Sequence, residues 1–248
     1  MHNRLIILLL VLGFSVNVQG QILRDYMNDA QQTVDKVTRK KGGGLSNDDI
    51  ISGLREALNV GSKNTTSKVS ATDGFYGDPN IKIFMPRDAM KVEKTLREIG
   101  MGDQVDKAIL SMNRGAEDAC TSALPIFIDA IKSMTIDDGM SILKGKNDAA
   151  TQYLKSKTMA KLTAAFRPIV EESLDKVEAT KYWTDIITAY NNLPTTFNKI
   201  NPDLPAYVTE NALKGVFFYV AQEEAKIRAN PAARVNDILK KVFGSLNQ

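Results

Sequence analysis

The sequence predicts an all-α fold: a single compact multi-helix domain of about ten helices. Three observations carry that reading. Apolar residues recur at three- and four-residue intervals through most of the chain, the period of an amphipathic helix. Two capping pairs, Ser46 with Asp49 and Thr135 with Asp138, stand where such stripes begin. Only residues 71–86 read as something other than helix.

Composition narrows the class. The 248 residues are 43% hydrophobic and 25% charged, which excludes collagen-like chains, disulfide scaffolds and bulk disorder. Lys and Arg number 32 against 29 Asp and Glu, a net charge of +3, too even for a nucleic-acid footprint.

Residues 1–20 have the three parts of an export signal: Arg4, the apolar run Leu5 to Leu12, and Val18-Gln19-Gly20. The run is too short for a membrane anchor, which takes roughly 20 apolar residues. Cleavage after Gly20 and a periplasmic or secreted location are therefore expected. Cleavage removes His2, the sole histidine, and leaves Cys120 as the sole cysteine, so no intrachain disulfide can form.

Residues 21–44 read as an arm and a linker. The stretch from Ile22 to Arg39 predicts a helix running into Lys36, Arg39, Lys40 and Lys41, and Gly42-Gly43-Gly44 then breaks it. In a phosphate-binding loop the lysine follows the glycines; here it precedes them, and no strand leads in. The four cations allow at most a peripheral contact with an anionic membrane surface.

The helical domain, 45–248, begins at Ser46. Ile50, Leu54, Ala57, Leu58, Gly61 and Thr65 share a face, and Gly61 on it implies close approach of another helix. Residues 71–86 carry the turn residues Asp73-Gly74 and Gly77-Asp78-Pro79, then alternate Ile81, Ile83 and Met85 with Lys82 and Phe84. Phe75, Tyr76 and Phe84 are expected to pin this loop to the core. Pro86 suits the first turn of a helix ending at Gly100. Asp103 opens the next, with Val105, Ala108, Ile109, Met112, Ala116 and Ala119 on its stripe. Pro125 stands near the start of a stripe of Leu124, Phe127, Ile128, Ile131 and Met134.

Thr135 then caps a short helix through Leu143, and Asn147 or Asp148 caps the one carrying Tyr153 and Leu154. That pattern continues through Leu162, Phe166, Ile169, Val170, Leu174 and Val177, with Pro168 expected to kink it. Tyr182, Trp183, Ile186, Ile187 and Tyr190 make a short aromatic helix, and a Pro/Asn stretch leads to Pro205. Leu213, Val216, Phe217, Val220 and Ile227 mark the most apolar helix. Asn230-Pro231 starts a last one, with Val235, Ile238, Leu239 and Val242 inward and Gly244 as its stop.

Chemistry is restricted by what is missing. A Ser-His-Asp or Cys-His nucleophile needs an imidazole, and a catalytic zinc normally needs His or several Cys. No catalytic residue, metal ligand or cofactor is assigned. Cys120, beside Glu117 and Asp118, reads as a small buried hydrophobe. The adjacent acid pairs, such as Asp48-Asp49 and Glu171-Glu172, point about 100° apart on a helix and do not converge.

Two clusters remain as candidate binding residues. Glu224 falls within an apolar stripe, between Val220 and Ile227, with Arg228 one turn on as its partner. In Ser111 to Glu117, Arg114 projects opposite the apolar stripe, Asn113 and Glu117 flank it, and Gly115 invites close approach.

Several blocks fall in an order that resembles the bacterial family known as domain of unknown function 4197. They include Gly53-Leu54 with Glu56-Ala57-Leu58 and Val60-Gly61, Asp73-Gly74-Phe75, Ser111-Met112-Asn113-Arg114 with Glu117, and Asp148-Ala149-Ala150-Thr151 with Tyr153-Leu154. Glu223-Glu224 with Ile227-Arg228, Pro231 with Arg234, and Lys240-Lys241-Val242-Phe243-Gly244 complete them. The resemblance covers about 45–244. It implies an exported, mostly helical protein and brings no activity or site residue.

The leading expectation is therefore an exported, non-enzymatic protein that binds a small apolar or amphipathic ligand, or an envelope protein partner. A carboxylate-based enzyme acting on an envelope glycan is the first alternative, and an envelope structural or assembly factor the second.

Overall fold

The computed structural model describes residues 46–176, 179–192 and 199–229. The export segment 1–20, the arm and linker 21–44, and the expected last helix at 230–244 lie outside the described residues. Within them the chain is helical and has no strand. The helices are α1 (Asn47–Val69), α2 (Met90–Glu98), α3 (Gly102–Cys120), α4 (Ala123–Lys132), α5 (Ile136–Lys144), α6 (Ala149–Asp175), α7 (Ala179–Asn191) and α8 (Leu204–Ala229). A single 3-10 turn, Arg87–Ala89, precedes α2. The expected total of about ten is thus not supported: eight α-helices are described, and the expected helices at 22–39 and 230–244 are not among them.

Local chemistry explains three of the boundaries. The Ser46 hydroxyl accepts from the Asp49 amide while the Asp49 carboxylate accepts from the Ser46 amide, a reciprocal cap at 3.2 and 3.0 Å. Thr135 and Asp138 repeat it at α5, at 3.1 and 3.0 Å. After α2 the chain turns at Gly100, whose φ of 85° lies in the left-handed region that glycine enters freely. Helix α6 runs unbroken through Pro168.

Helix α6 is the central strut. It packs against α3, α4 and α8, while α1 packs against α4 and α8. The core they share includes Leu54, Met112, Phe127, Leu154, Phe166 and Val216. Gly61 meets α8 as expected, since a Cβ there would stand 3.5 Å from the Cβ of Glu223. Among the described residues no single helix is long and apolar enough to cross a membrane.

Two residues outside the helices, Ile200 and Ile83, are held by asparagines in the same way. Asn191, at the end of α7, donates to the Ile200 carbonyl at 2.7 Å and accepts from the Ile200 amide at 2.9 Å. The second such asparagine is Asn113 of α3, which binds Ile83 in the 71–86 loop.

The 71–86 loop behaves as its alternation predicts, with one correction. Ile81, Ile83 and Met85 are buried, and Phe75 is wholly so. Tyr76 packs against the core from its edge. Phe84 does not pin the loop: it is 56% exposed. The same alternation that turns 81, 83 and 85 inward turns 84 outward. Phe75 fits because α8 offers Gly215 against it; a Cβ there would stand 2.6 Å from the ring.

Candidate functional site

The five candidate residues fall into two separate nodes. The first is on α3. Asn113 and Glu117 are one helical turn apart and so share a face. That face meets the 71–86 loop rather than solvent, and both side chains are buried. The Asn113 amide group accepts from the Ile83 N–H and donates to the Ile83 carbonyl, both at 2.8 Å, and donates again to the Ile109 carbonyl at 2.7 Å. One side chain thus does for Ile83 what a neighbouring strand would do.

Glu117 holds the other end of the loop. Its Oε1 accepts from the Phe75 and Tyr76 amides at 3.0 and 3.1 Å. Its Oε2 accepts from Arg114 Nη1 at 2.6 Å, and Arg114 Nη2 reaches Asp73 Oδ1 at 2.7 Å. The hydrogen bond to Glu117 is the main reason the Arg114 guanidinium holds its proton more tightly than usual. Asp73 needs this support, since its φ of 64° is uncommon for a residue with a side chain. Gly115, on the same helix, permits the approach of α6: a Cβ would stand 3.1 Å from Ser173 Cβ. Ser111 donates to the Ser173 carbonyl at 2.9 Å beside it.

Helix α8 clasps the same loop from its other side. Tyr219 donates to the Asp78 carboxylate, and Tyr207 donates to the Phe84 carbonyl at 3.0 Å. Burial pushes the Asp78 carboxyl up, but hydrogen bonds from Tyr219 and Asn80 outweigh it and hold it below the usual range. Burial, then the bond to Asp78, pushes the Tyr219 phenol up.

The second node is Glu224 with Arg228. The ion pair expected from their spacing is present: Arg228 Nε and Nη2 lie 2.9 and 2.8 Å from Glu224 Oε1. The sequence did not reveal what else the carboxylate does. It accepts from the Ala150 amide at 3.0 Å, the Thr151 amide at 2.8 Å and the Thr151 hydroxyl at 2.7 Å. These are first-turn donors of α6 that have no intrahelical partner. Asp148, which the sequence offers as the cap, makes no side-chain capping bond. A buried glutamate from α8 therefore caps α6, where negative charge is favoured. Arg228 also donates to the Ile142 carbonyl at 3.0 Å, tying α5 to the node.

The two nodes share no residue and no partner among these bonds. Every carboxylate oxygen of Glu117 and Glu224 is occupied by amides, a hydroxyl or an arginine. Cys120 is buried, and burial, with Glu117 adding to it, pushes its thiol well up. Among the described residues no cluster of His, Cys, Asp and Glu is placed to hold a metal ion.

Open space lies beside the second node and in a groove apart from both nodes. A cavity of about 30 Å³ sits beside Glu224, lined by Leu54, Leu58, Gly61 and Ile227 among others, with room for a water molecule. A groove of about 440 Å³ runs between α6 and α8. Lys155, Met159, Thr163 and Arg167 form its α6 wall, and Ala206, Thr209, Glu210, Leu213, Lys214 and Phe217 its α8 wall. The Thr209 hydroxyl is buried in that wall without a partner among the described residues. Sequence reasoning missed this groove. Its one local trace is the four-residue spacing from Lys155 to Arg167, which places those side chains along one line of α6.

No curated protein and no solved structure matches the chain. A family model described as "protein of unknown function (DUF4197)" matches residues 44–244, a span that holds all eight described helices, both carboxylate nodes and the groove, and the chain belongs to that family.

Proposed function

We propose that this is an exported, non-enzymatic binding protein whose ligand, a small apolar or amphipathic molecule, lies in the groove between α6 and α8. The groove carries the proposal. Its volume of about 440 Å³ falls in the range of small-molecule sites, and Met159, Leu213 and Phe217 give it an apolar surface. The buried acids support binding over carboxylate chemistry, because Glu117 and Glu224 are both engaged by arginine and backbone amides. Export rests on the signal pattern in residues 1–20.

Dodecanol, below its solubility limit, is a neutral probe of this site. Titration calorimetry should show saturable one-to-one binding. Thr163 is exposed and lines the groove, so Thr163→Trp should fill the space without disturbing the core and weaken binding at least tenfold. No saturable binding, or equal binding by the variant, would overturn the proposal.

A further inference from the structure

We infer that the occupant of the α6–α8 groove is a free long-chain fatty acid, its carboxylate at Lys155 and its chain running toward Arg167; this rests on the binding function proposed above. The direction of the groove follows from its two ends. Glu224, near the C-terminal end of α8, binds the N-terminal turn of α6. Asp203, just before α8, binds Arg167 further along α6 at 3.0 and 3.1 Å. The helices therefore run antiparallel, which pairs Lys155 with the Phe217 end and Arg167 with the Ala206 end. Twelve residues of α6 at 1.5 Å rise set these ends about 18 Å apart. The α6 wall is one side chain wide, which suits a single chain.

Charge decides which end takes the headgroup. Arg167 is already engaged by Asp203 and, at 2.9 Å, by Glu171, so acids outnumber cations there. Lys214 is paired with Glu210 at 2.7 Å. Lys155 has no hydrogen bond or ion pair among the described residues. Its neighbours one turn away on α6 are Thr151, Gln152, Thr158 and Met159, none of them acidic. Among the described residues it is the groove's uncompensated cation, and it is exposed, so a carboxylate paired with it keeps contact with water. From there the chain lies over Phe217, Met159 and Leu213.

The test compares three ligands of equal chain length, at concentrations below micelle formation: laurate, dodecanol and dodecylammonium. With the unchanged protein, laurate should bind about fivefold more tightly than dodecanol, the scale of an exposed ion pair, and dodecylammonium most weakly. Lys155→Glu should weaken laurate more than tenfold and dodecanol less than twofold, and Lys155→Gln should make laurate and dodecanol equal. An unchanged melting temperature shows that these variants are folded. Laurate no tighter than dodecanol, or a preference for laurate that survives Lys155→Glu, would overturn the fatty-acid assignment while leaving the binding function standing. Failure of all three ligands to saturate would overturn both.

Discussion

Replacing Glu224 with alanine should destabilise the protein by about 3–5 kcal/mol, the cost of breaking a buried ion pair from one side. Two losses add up in that variant. Arg228, largely buried, keeps its charge without the carboxylate that offsets it. The Ala150 and Thr151 amides lose their acceptor at a helix end that Asp148 does not cap. Urea unfolding measures the total, and amide hydrogen exchange gives the signature: Ala150 and Thr151 should lose protection ahead of the middle of α6. A loss under about 1 kcal/mol, the range of a surface pair, would show that the carboxylate is not the cap.

Replacing Glu117 with alanine should cost about 3 kcal/mol, because two loop amides, one of them fully buried, lose their acceptor and a partly buried arginine loses one of its two. The damage should fall on the 71–86 loop and leave α6 intact. Phe75 sits in the core only while the backbone at 75 and 76 is held against α3. Limited proteolysis should therefore cut the variant within 71–86 at protease levels that spare the parent protein. Glu117→Gln keeps one acceptor oxygen, so its loss should be smaller. If the loop resists protease in Glu117→Ala as well as in the parent, then Asn113 and Tyr219 hold it without Glu117.

The parts of this fold that were legible in the sequence are those set by short-range spacing. Ser46 with Asp49, and Thr135 with Asp138, are complete capping devices within four residues, so the sequence locates the starts of α1 and α5. Glu224 and Arg228 are one turn apart, so their pairing was readable too. What Glu224 does for Ala150 was not, because 74 residues separate them and nothing local records which helix end the carboxylate meets. Asn113 shows the same limit: its stripe gave the helix, but not that its amide would serve Ile83, 30 residues back. Phe84 was misplaced because its ring counted for more than its position in the alternation from Ile81 to Met85. The groove needs α6 and α8 side by side, an arrangement that neither helix encodes alone.

Methionine methyl spectroscopy tests most directly whether the buried charged nodes are structural and the groove is where ligand binds. Met159 lines the groove, Met112 is buried next to Asn113, and Met134 is buried at the end of α4. On titration with dodecanol, the Met159 methyl resonance should shift and saturate with the calorimetric affinity, while Met112 and Met134 stay in place. A saturating shift at Met112 with Met159 unmoved would contradict the account, because ligand would then be entering beside Asn113 and Glu117.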